Sequence, residues 1–375
     1  MMRVCHFVND IYYNLTTEKA SHLELNPNQI YNFLLLSLKE KYRNMLYEIP
    51  PQKMICARIR EIRGSIEMSS IQSVTMPPLR TLTDGSPFLR SSWFGAVRGV
   101  YHQMLIWVTD ECLSLLRYNG NCFIDGTFKT SPSPFKKCVI IMTFDRGTHK
   151  YIPCVYALLT GKNEYLYRKL FSEIISLLEY RWMPSIITVD FERSLISSVK
   201  REFPQSRITG CYFHLKQALF RKLTKICCDF NLVGLILSKI ELLTVIPLEE
   251  ISMAIRYLKE ILPQTDTSTL FWQYFENTWI RRYDPSLWNI STVDKYQISG
   301  RTNNCLERYN RRLNDFFANA HPNIASFVTV IRNEFEFYSQ VCAQVRQNST
   351  SIDYGQGIFD KPAVVADYML LKLNI

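Results

Sequence analysis

Three acidic residues could together carry metal-ion chemistry if the fold brings them to one place. Asp125 lies inside the apolar stretch 121–128, which has the composition of a buried strand. A carboxylate in such a strand costs several kcal/mol unless a partner or a metal ion compensates for it. Asp190 follows a second apolar stretch, and Glu307 lies about one turn into a later helix. Functional groups collect at strand ends in α/β sheets, so these carboxylates form the candidate catalytic site.

The chemistry of such a cluster would be phosphoryl transfer. Three convergent carboxylates cannot all stay ionised in a dry cleft without cations, and oxygen ligands suit Mg²⁺ or Mn²⁺. Two such ions about 4 Å apart would activate a water or a 3′-hydroxyl for in-line displacement. Three alternatives stay open. Asp125 could be a structural hydrogen-bond acceptor, Asp190 a helix cap, and Glu307 part of a surface ion pair with nearby arginines.

Two further groups of residues flank the acidic positions. Cys211 and His214 could form half of a zinc site, but no second pair stands at ligand spacing, so a hydrogen-bonding histidine at the rim of a cleft is the alternative. Asn304 shares a helix face with Glu307. Basic residues follow both motifs, either to contact phosphates or simply to face solvent. The candidates are Lys216, Arg221, Lys222, Lys225, Arg308, Arg311 and Arg312.

Composition narrows the class of protein. The chain has 375 residues, of which 47% are hydrophobic, so it can bury one large core or two ordinary ones. A net charge of +10 favours a polyanionic partner, nucleic acid first. The 11 cysteines have no framework spacing, which indicates reduced thiols in a cytosolic or nuclear protein. No membrane span is predicted, because the best apolar run, 232–248, contains Lys239 and Glu241.

The pattern of elements predicts an α/β domain. Three strands joined by short links should form an antiparallel meander, and two further strands alternate with helices. This order predicts an RNase H-like mixed five-stranded sheet flanked by helices. The predicted strands are Cys122–Phe128, Lys137–Phe144, Tyr151–Leu159, Ser185–Val189 and Ser206–Phe213.

Five regions follow from these patterns. Residues 1–118 form a helical accessory region with helices at 28–47 and 53–68, and residues 119–228 form the first part of the core. Residues 229–298 form a helical insertion whose tryptophans either pack its core or stack on unpaired bases. Residues 299–347 return to the core, where Thr302 or Asn303 could cap the helix of Glu307, and residues 348–375 form a tail.

Three motifs in this order resemble the transposase domain of Mutator-like elements (MULE). The first is Asp-Gly-Thr-Phe with a downstream Tyr-Ala-Leu-Leu-Thr-Gly-Lys, and the second is Thr-Val-Asp-Phe-Glu followed by Gly-Cys-Tyr-Phe-His-Leu-Lys-Gln-Ala. The third is Arg-Thr-Asn-Asn-Cys-Leu-Glu-Arg-Tyr-Asn. The resemblance spans residues 120 to 315, and the order and company of the motifs are more specific than any one of them.

The resemblance implies a fold, a triad and an activity. It implies an RNase H-like DDE domain with a helical insertion before the last acid, and it assigns the triad to Asp125, Asp190 and Glu307 and the family's Cys-x-x-His to Cys211 and His214. It also implies metal-dependent cleavage of transposon ends and strand transfer into target DNA. The expected partners are therefore terminal repeats, target DNA and further copies of the chain as a homodimer or higher oligomer, in the nucleus.

Other functions stay open at this point. Family members often carry a zinc-binding DNA-recognition module, and no such module is visible in this sequence. A truncated or host-retained DNA-binding or scaffold protein without catalysis is therefore the alternative. A nuclease for RNA–DNA hybrids shares the triad chemistry, although the flanking motifs argue against it.

Overall fold

A seven-stranded mixed sheet forms the centre of the molecule. The computed structural model describes residues 27–41, 51–59, 79–292, 304–317 and 319–347, with 365, 368 and 369. The spatial order of the strands is β1-β2-β5-β4-β3-β6-β7. The strands are β1 (Leu89–Val97), β2 (Val100–Trp107), β3 (Asn121–Thr127), β4 (Lys137–Asp145), β5 (Lys150–Leu159), β6 (Ile186–Val189) and β7 (Arg207–Gly210).

The predicted α/β class and the three-strand meander are confirmed. β3, β4 and β5 pair in antiparallel fashion, whereas β6 pairs in parallel with β3, and β7 pairs in parallel with β6. The central strands are almost wholly buried, which explains why their sequences are continuous apolar runs rather than alternating ones. The RNase H-like assignment remains an interpretation of this strand order.

The predicted count of five strands was wrong, and so was the purely helical description of residues 1–118. β1 and β2 form a hairpin that extends the sheet, because β2 pairs with β5. The hairpin turn consists of Arg98 and Gly99, both with positive φ. Asn, Asp or Gly usually stands first in such a two-residue turn. With Arg at that position and a mixed burial pattern along β1, the sequence showed no recognisable hairpin signal.

Helices pack along the sheet, and two of them begin with a capping side chain. The N-cap side chain of Thr109 accepts a hydrogen bond from the backbone amide of Cys112, and that of Asn163 accepts one from the amide of Leu166. These bonds satisfy donors that the start of a helix otherwise leaves unpaired. The helices are α1 (Pro27–Lys41), α2 (52–59), α3 (Asp110–Tyr118), α4 (Glu164–Leu177), α5 (Arg193–Glu202), α6 (Tyr212–Ile226), α7 (Phe230–Ile240), α8 (Ile251–Ile261), α9 (Asp266–Phe275), α10 (Asn304–Asp315) and α11 (Ile324–Gln347).

The predicted insertion is helical over the part that the structure describes. Residues 229–292 contain α7, α8 and α9, short 3-10 turns and a π-helical segment, Glu276–Arg282, and no strand. The apolar periodicity of this region therefore predicted its elements correctly.

Some predictions fall on residues outside the described ranges. They are the ends of the two N-terminal helices at 42–47 and 60–68, the capping role of Thr302 or Asn303, and nearly all of the tail 348–375. Within the described ranges, each helix is too short or too polar to span a membrane.

Candidate active site

The two aspartates lie side by side on neighbouring parallel strands. β3 pairs with β6 so that Ile124 stands opposite Val189. The next residues are Asp125, inside β3, and Asp190, directly after the end of β6. Asp125 is only 6% exposed, and its Oδ1 accepts a hydrogen bond from the Gly126 amide at 2.7 Å. The register of two buried strands thus brings together two carboxylates that are 65 residues apart in the chain.

Helix α10 brings Glu307 to the same edge of the sheet. α10 packs against β3, and the charge of Asp125 raises the pKa of Glu307, so the two carboxyl groups lie near each other. One turn further along α10, Asn310 donates a hydrogen bond from Nδ2 to Asp125 Oδ2 at 3.1 Å. This role of Asn310 was not predicted from the sequence. The available signal was its i+3 spacing from Glu307, which places both side chains on one face.

The carboxyl groups oppose one another's ionisation. Burial, followed by the charge of Asp190, raises the pKa of Asp125 to about 7. Burial, followed by the charge of Asp125, raises the pKa of Glu307 to about 7, against a smaller lowering by Arg311. Near neutral pH, each of these two carboxyl groups is therefore protonated in about half of the molecules unless a cation replaces the proton.

A buried lysine lies against this acidic cluster. Lys137 is 1% exposed, and its Nζ donates to Glu192 Oε2 at 2.5 Å and lies 4.0 Å from Asp190 Oδ2. Tyr167 donates its hydroxyl to the other oxygen of Glu192 at 2.8 Å. The Lys137 charge also lowers the pKa of Asp125 in part. The sequence predicts Lys137 only as the first residue of a strand, because the spacing gives no signal of its pairing with Glu192.

Gly126 makes room for that lysine. A Cβ atom at position 126 would lie 1.6 Å from Lys137 Cε, so any other residue would push the buried side chain away from Glu192. The glycine after Asp125 thus admits a close side chain from the neighbouring strand β4.

The helical insertion holds the loop that follows Asp190. Tyr283 donates its hydroxyl to the Phe191 carbonyl at 2.6 Å, and the Phe191 ring packs edge-on against Trp279 at 4.8 Å between centroids. The same ring fills the space above Gly210, where a Cβ would lie 2.4 Å from it. The insertion therefore anchors the backbone between Asp190 and Glu192.

The insertion's tryptophans follow the first of the two alternatives and pack its core. Trp272, Trp279 and Trp288 are 5%, 2% and 2% exposed. Trp288 donates its indole N–H to the Trp279 carbonyl at 2.9 Å. These rings pack the core of the insertion and are not available for stacking.

The segment that carries most of this geometry matches a known family. Residues 122–218 match the MULE transposase domain. The match runs from β3 into α6, so it includes Asp125, Asp190, Cys211 and His214, whereas Glu307 lies beyond it. No curated protein matches the chain. The resemblance that the motifs indicated is confirmed over this segment, and transposases of this kind use divalent metal ions and act on DNA.

The last strand of the MULE transposase segment ends earlier than predicted. β7 ends at Gly210, Cys211 is the N-cap of α6, and the helix begins at Tyr212. Tyr212 and Phe213 favour extended structure, which is why the strand was extended to residue 213 in error. His214 therefore lies in the first turn of α6, where burial lowers its pKa.

The predicted basic residues divide into engaged and exposed ones. Lys216 pairs with Glu241 at 2.6 Å, and Lys222 lies 5.3 Å from the centre of the Tyr274 ring. The guanidinium of Arg312 binds the buried Glu334 and lies against four aromatic rings, and its contact with DNA stays a prediction. Arg221, Lys225, Arg308 and Arg311 are exposed on α6 and α10, and Lys216 is exposed as well.

The predicted supporting role of Asn304 stays a prediction. Asn304 is the first residue of α10, and the described ranges give only its backbone.

Proposed function

We propose that the chain is the transposase of a Mutator-like DNA element, which cuts the ends of the element and transfers them into target DNA. The observation that carries the proposal is the meeting of Asp125, Asp190 and Glu307 at one edge of the sheet. Two of these residues lie in the segment that matches the MULE transposase domain. A DDE enzyme needs such a cluster of carboxylates beside a DNA-binding surface.

The residues present fit Mg²⁺ or Mn²⁺. All three side chains offer carboxylate oxygens, which these ions prefer, and Glu307 Oε1 is buried without a hydrogen-bond partner. Two bound ions would supply activation of the attacking oxygen and stabilisation of the leaving one. In this proposal Asp125, Asp190 and Glu307 hold the ions, and Asn310 keeps the Asp125 carboxyl in orientation through its hydrogen bond.

DNA binding would depend mainly on phosphate contacts. The net charge is +10, and Arg221, Lys225, Arg308 and Arg311 are exposed on the two helices beside the acidic cluster. Contacts of this kind release counterions, so the affinity should depend weakly on sequence and steeply on salt concentration. The proposal includes a homodimer or higher oligomer that holds two transposon ends, and a nuclear location.

The test is strand cleavage of a terminal-repeat duplex with Mg²⁺ or Mn²⁺. Asp125→Asn, Asp190→Asn and Glu307→Gln should each abolish cleavage, and double variants should lose little more, because groups that act as a unit are not additive. Binding of the duplex should persist in each. Asp315→Asn is the matched control, since Asp315 is exposed at the end of α10. Full cleavage by any of the three site variants would show that the triad is misassigned.

One observation favours a second function, a retained DNA-binding protein without catalysis. Lys137 places a positive charge beside Asp190 and Glu192, so part of the acidic edge is compensated without any metal ion. Such a protein would bind duplex DNA, never cut it and gain no thermal stability from Mg²⁺. A transposase would cut DNA and be stabilised by the ion, because binding to the native state alone raises stability.

A further inference from the structure

A sulfur, a nitrogen and a carboxylate oxygen meet where α6 approaches α10. One ligand atom from each of Cys211, His214 and Glu307 lies within 4.8 Å of the other two. His214 Nε2 stands 3.7 Å from Glu307 Oε1, which is too far for a hydrogen bond. His214 Nδ1 and Glu307 Oε1 are buried without hydrogen-bond partners. We infer that these three side chains form a second metal site, suited to Zn²⁺.

The local fold explains why the three donors face each other. Because the chain turns from strand to helix at Cys211, this residue and His214 stand three positions apart at the start of α6 and lie on one face of the helix. The start of a helix also carries partial positive charge, which favours a thiolate over a thiol at the N-cap. Glu307 comes from the first turn of α10, so one ion would join the two helices.

The donor set separates this site from the proposed magnesium site. A thiolate and an imidazole suit Zn²⁺ and are poor ligands for Mg²⁺. Ligand atoms around tetrahedral zinc stand about 3.3 to 3.6 Å apart, given bond lengths of about 2.0 to 2.3 Å. The pair from His214 and Glu307 is already at 3.7 Å, and small side-chain rotations would bring Cys211 into range. A solvent molecule would complete the fourth position, because the His214 side chain is 29% exposed.

The two metal sites share Glu307. A zinc ion that binds Glu307 with Cys211 and His214 draws this carboxylate away from Asp125 and Asp190, so zinc and magnesium compete for it. Zinc should therefore inhibit magnesium-dependent cleavage, and this consequence rests on the proposed function. The metal site itself does not rest on it.

Direct metal binding by the full chain tests the site. Zn²⁺ affinity is measured by competition with a chromophoric chelator, and Co²⁺ serves as the spectroscopic probe, since a cobalt–thiolate bond gives an intense near-ultraviolet charge-transfer band. Cys211→Ser and His214→Gln should each weaken zinc binding at least about tenfold, and Cys211→Ser should remove the cobalt band. Cys305→Ser is the matched control, because Cys305 is a partly buried thiol that lies near Cys211 but outside the donor set.

Asp125→Asn and Glu307→Gln distinguish this site from the triad. Asp125→Asn should leave zinc affinity within about twofold of wild type, whereas Glu307→Gln should weaken it like the other ligand variants. Unchanged zinc affinity in both Cys211→Ser and His214→Gln would overturn the proposal, as would a cobalt band that depends on Cys305. If the buried Cys211 does not tolerate serine, the absence of any thiolate band in the wild-type cobalt protein overturns it equally.

An activity measurement then tests the shared ligand. In wild type, added zinc should lower the rate of cleavage, and more magnesium should restore it. In His214→Gln, the zinc concentration that halves the rate of cleavage should be at least about tenfold higher than in wild type. If the chain never cuts DNA, the proposed function fails but the zinc-binding result still stands. If the chain cuts DNA without binding zinc, the zinc site alone is refuted.

Discussion

Asp125→Asn should make the metal-free protein more stable, and the gain should grow with pH. The substitution keeps the shape of the side chain and removes one charge from a buried cluster. Burial and the charge of Asp190 raise the pKa of Asp125 from 3.8 to about 7. A shift of about 3 units corresponds to about 4 kcal/mol against the ionised carboxylate in the folded state.

The sign follows from proton binding. Between pH 4 and pH 7 the unfolded chain has lost the proton of this carboxyl while the folded protein keeps it, so unfolding releases a proton. The free energy of unfolding therefore falls as the pH rises through this window, and the loss is complete only above about pH 7. Glu307 contributes in the same direction, because its pKa is also raised to about 7.

The net gain in stability of Asp125→Asn is smaller than the removal of the charge alone would give. The carboxylate accepts hydrogen bonds from Gly126 and Asn310, and an asparagine amide can accept only one of them, at a cost of about 1 kcal/mol. The variant should thus match wild type near pH 5 and exceed it by about 3 kcal/mol near pH 8. For 375 residues this is an increase in melting temperature of about 4 °C.

The assay is thermal unfolding in chelator at pH 5, 6, 7 and 8, with Asp315→Asn as a control that should follow wild type throughout. Mg²⁺ should then stabilise wild type and not the Asp125 variant, which reverses their order. A variant that is less stable than wild type at pH 8, or a difference that does not change with pH, would refute the reasoning about the buried carboxyl group.

Two other variants probe the supports of the site. Lys137→Met should destabilise the fold by about 1 to 3 kcal/mol, because the partly buried Glu192 would lose its charged partner and keep only the hydrogen bond from Tyr167. Thermal unfolding measures the loss, and Lys137→Met with Glu192→Gln should recover much of it, which it would not do if the lysine only filled space. Tyr283→Phe removes the hydrogen bond to the Phe191 carbonyl and should lower the free energy of unfolding by about 1 kcal/mol. It should also lower the rate of cleavage more than the affinity for duplex DNA, and equal losses of both would contradict a positioning role.

The sequence predicted the part of the fold that is wholly buried. Residues 138–142 and 151–159 are apolar without interruption because both faces of these strands are covered, so their pattern depends little on tertiary detail. The hairpin of β1 and β2 escaped prediction for the opposite reason. Its strands are only partly covered, and its turn residue Arg98 takes a positive φ that the tertiary structure imposes.

The candidate site divides in the same way. Asp125 and Asp190 were predictable because each interrupts or ends an apolar strand, where a carboxylate needs an explanation. Lys137 and Asn310 were not, because their meaning depends on the register of β4 beside β3 and on the rotation of α10 about its axis. Likewise, the pairing of Arg312 with Glu334 on α11 has no signal in the spacing of the two residues.

The positive charge of Lys137 compensates only part of the negative charge at the sheet edge. Lys137 compensates for Glu192 and lies near Asp190, but it lowers the pKa of Asp125 only in part, and burial prevails. Asp125 and Glu307 are therefore partly protonated near neutral pH in the metal-free protein. The charge of Lys137 is thus too little to keep Asp125 fully ionised near neutral pH. Divalent ions that bind here would have to displace the remaining protons of Asp125 and Glu307. The raised pKa values of these two residues and the Glu307 oxygen without a hydrogen-bond partner both reflect negative charge that the protein does not compensate.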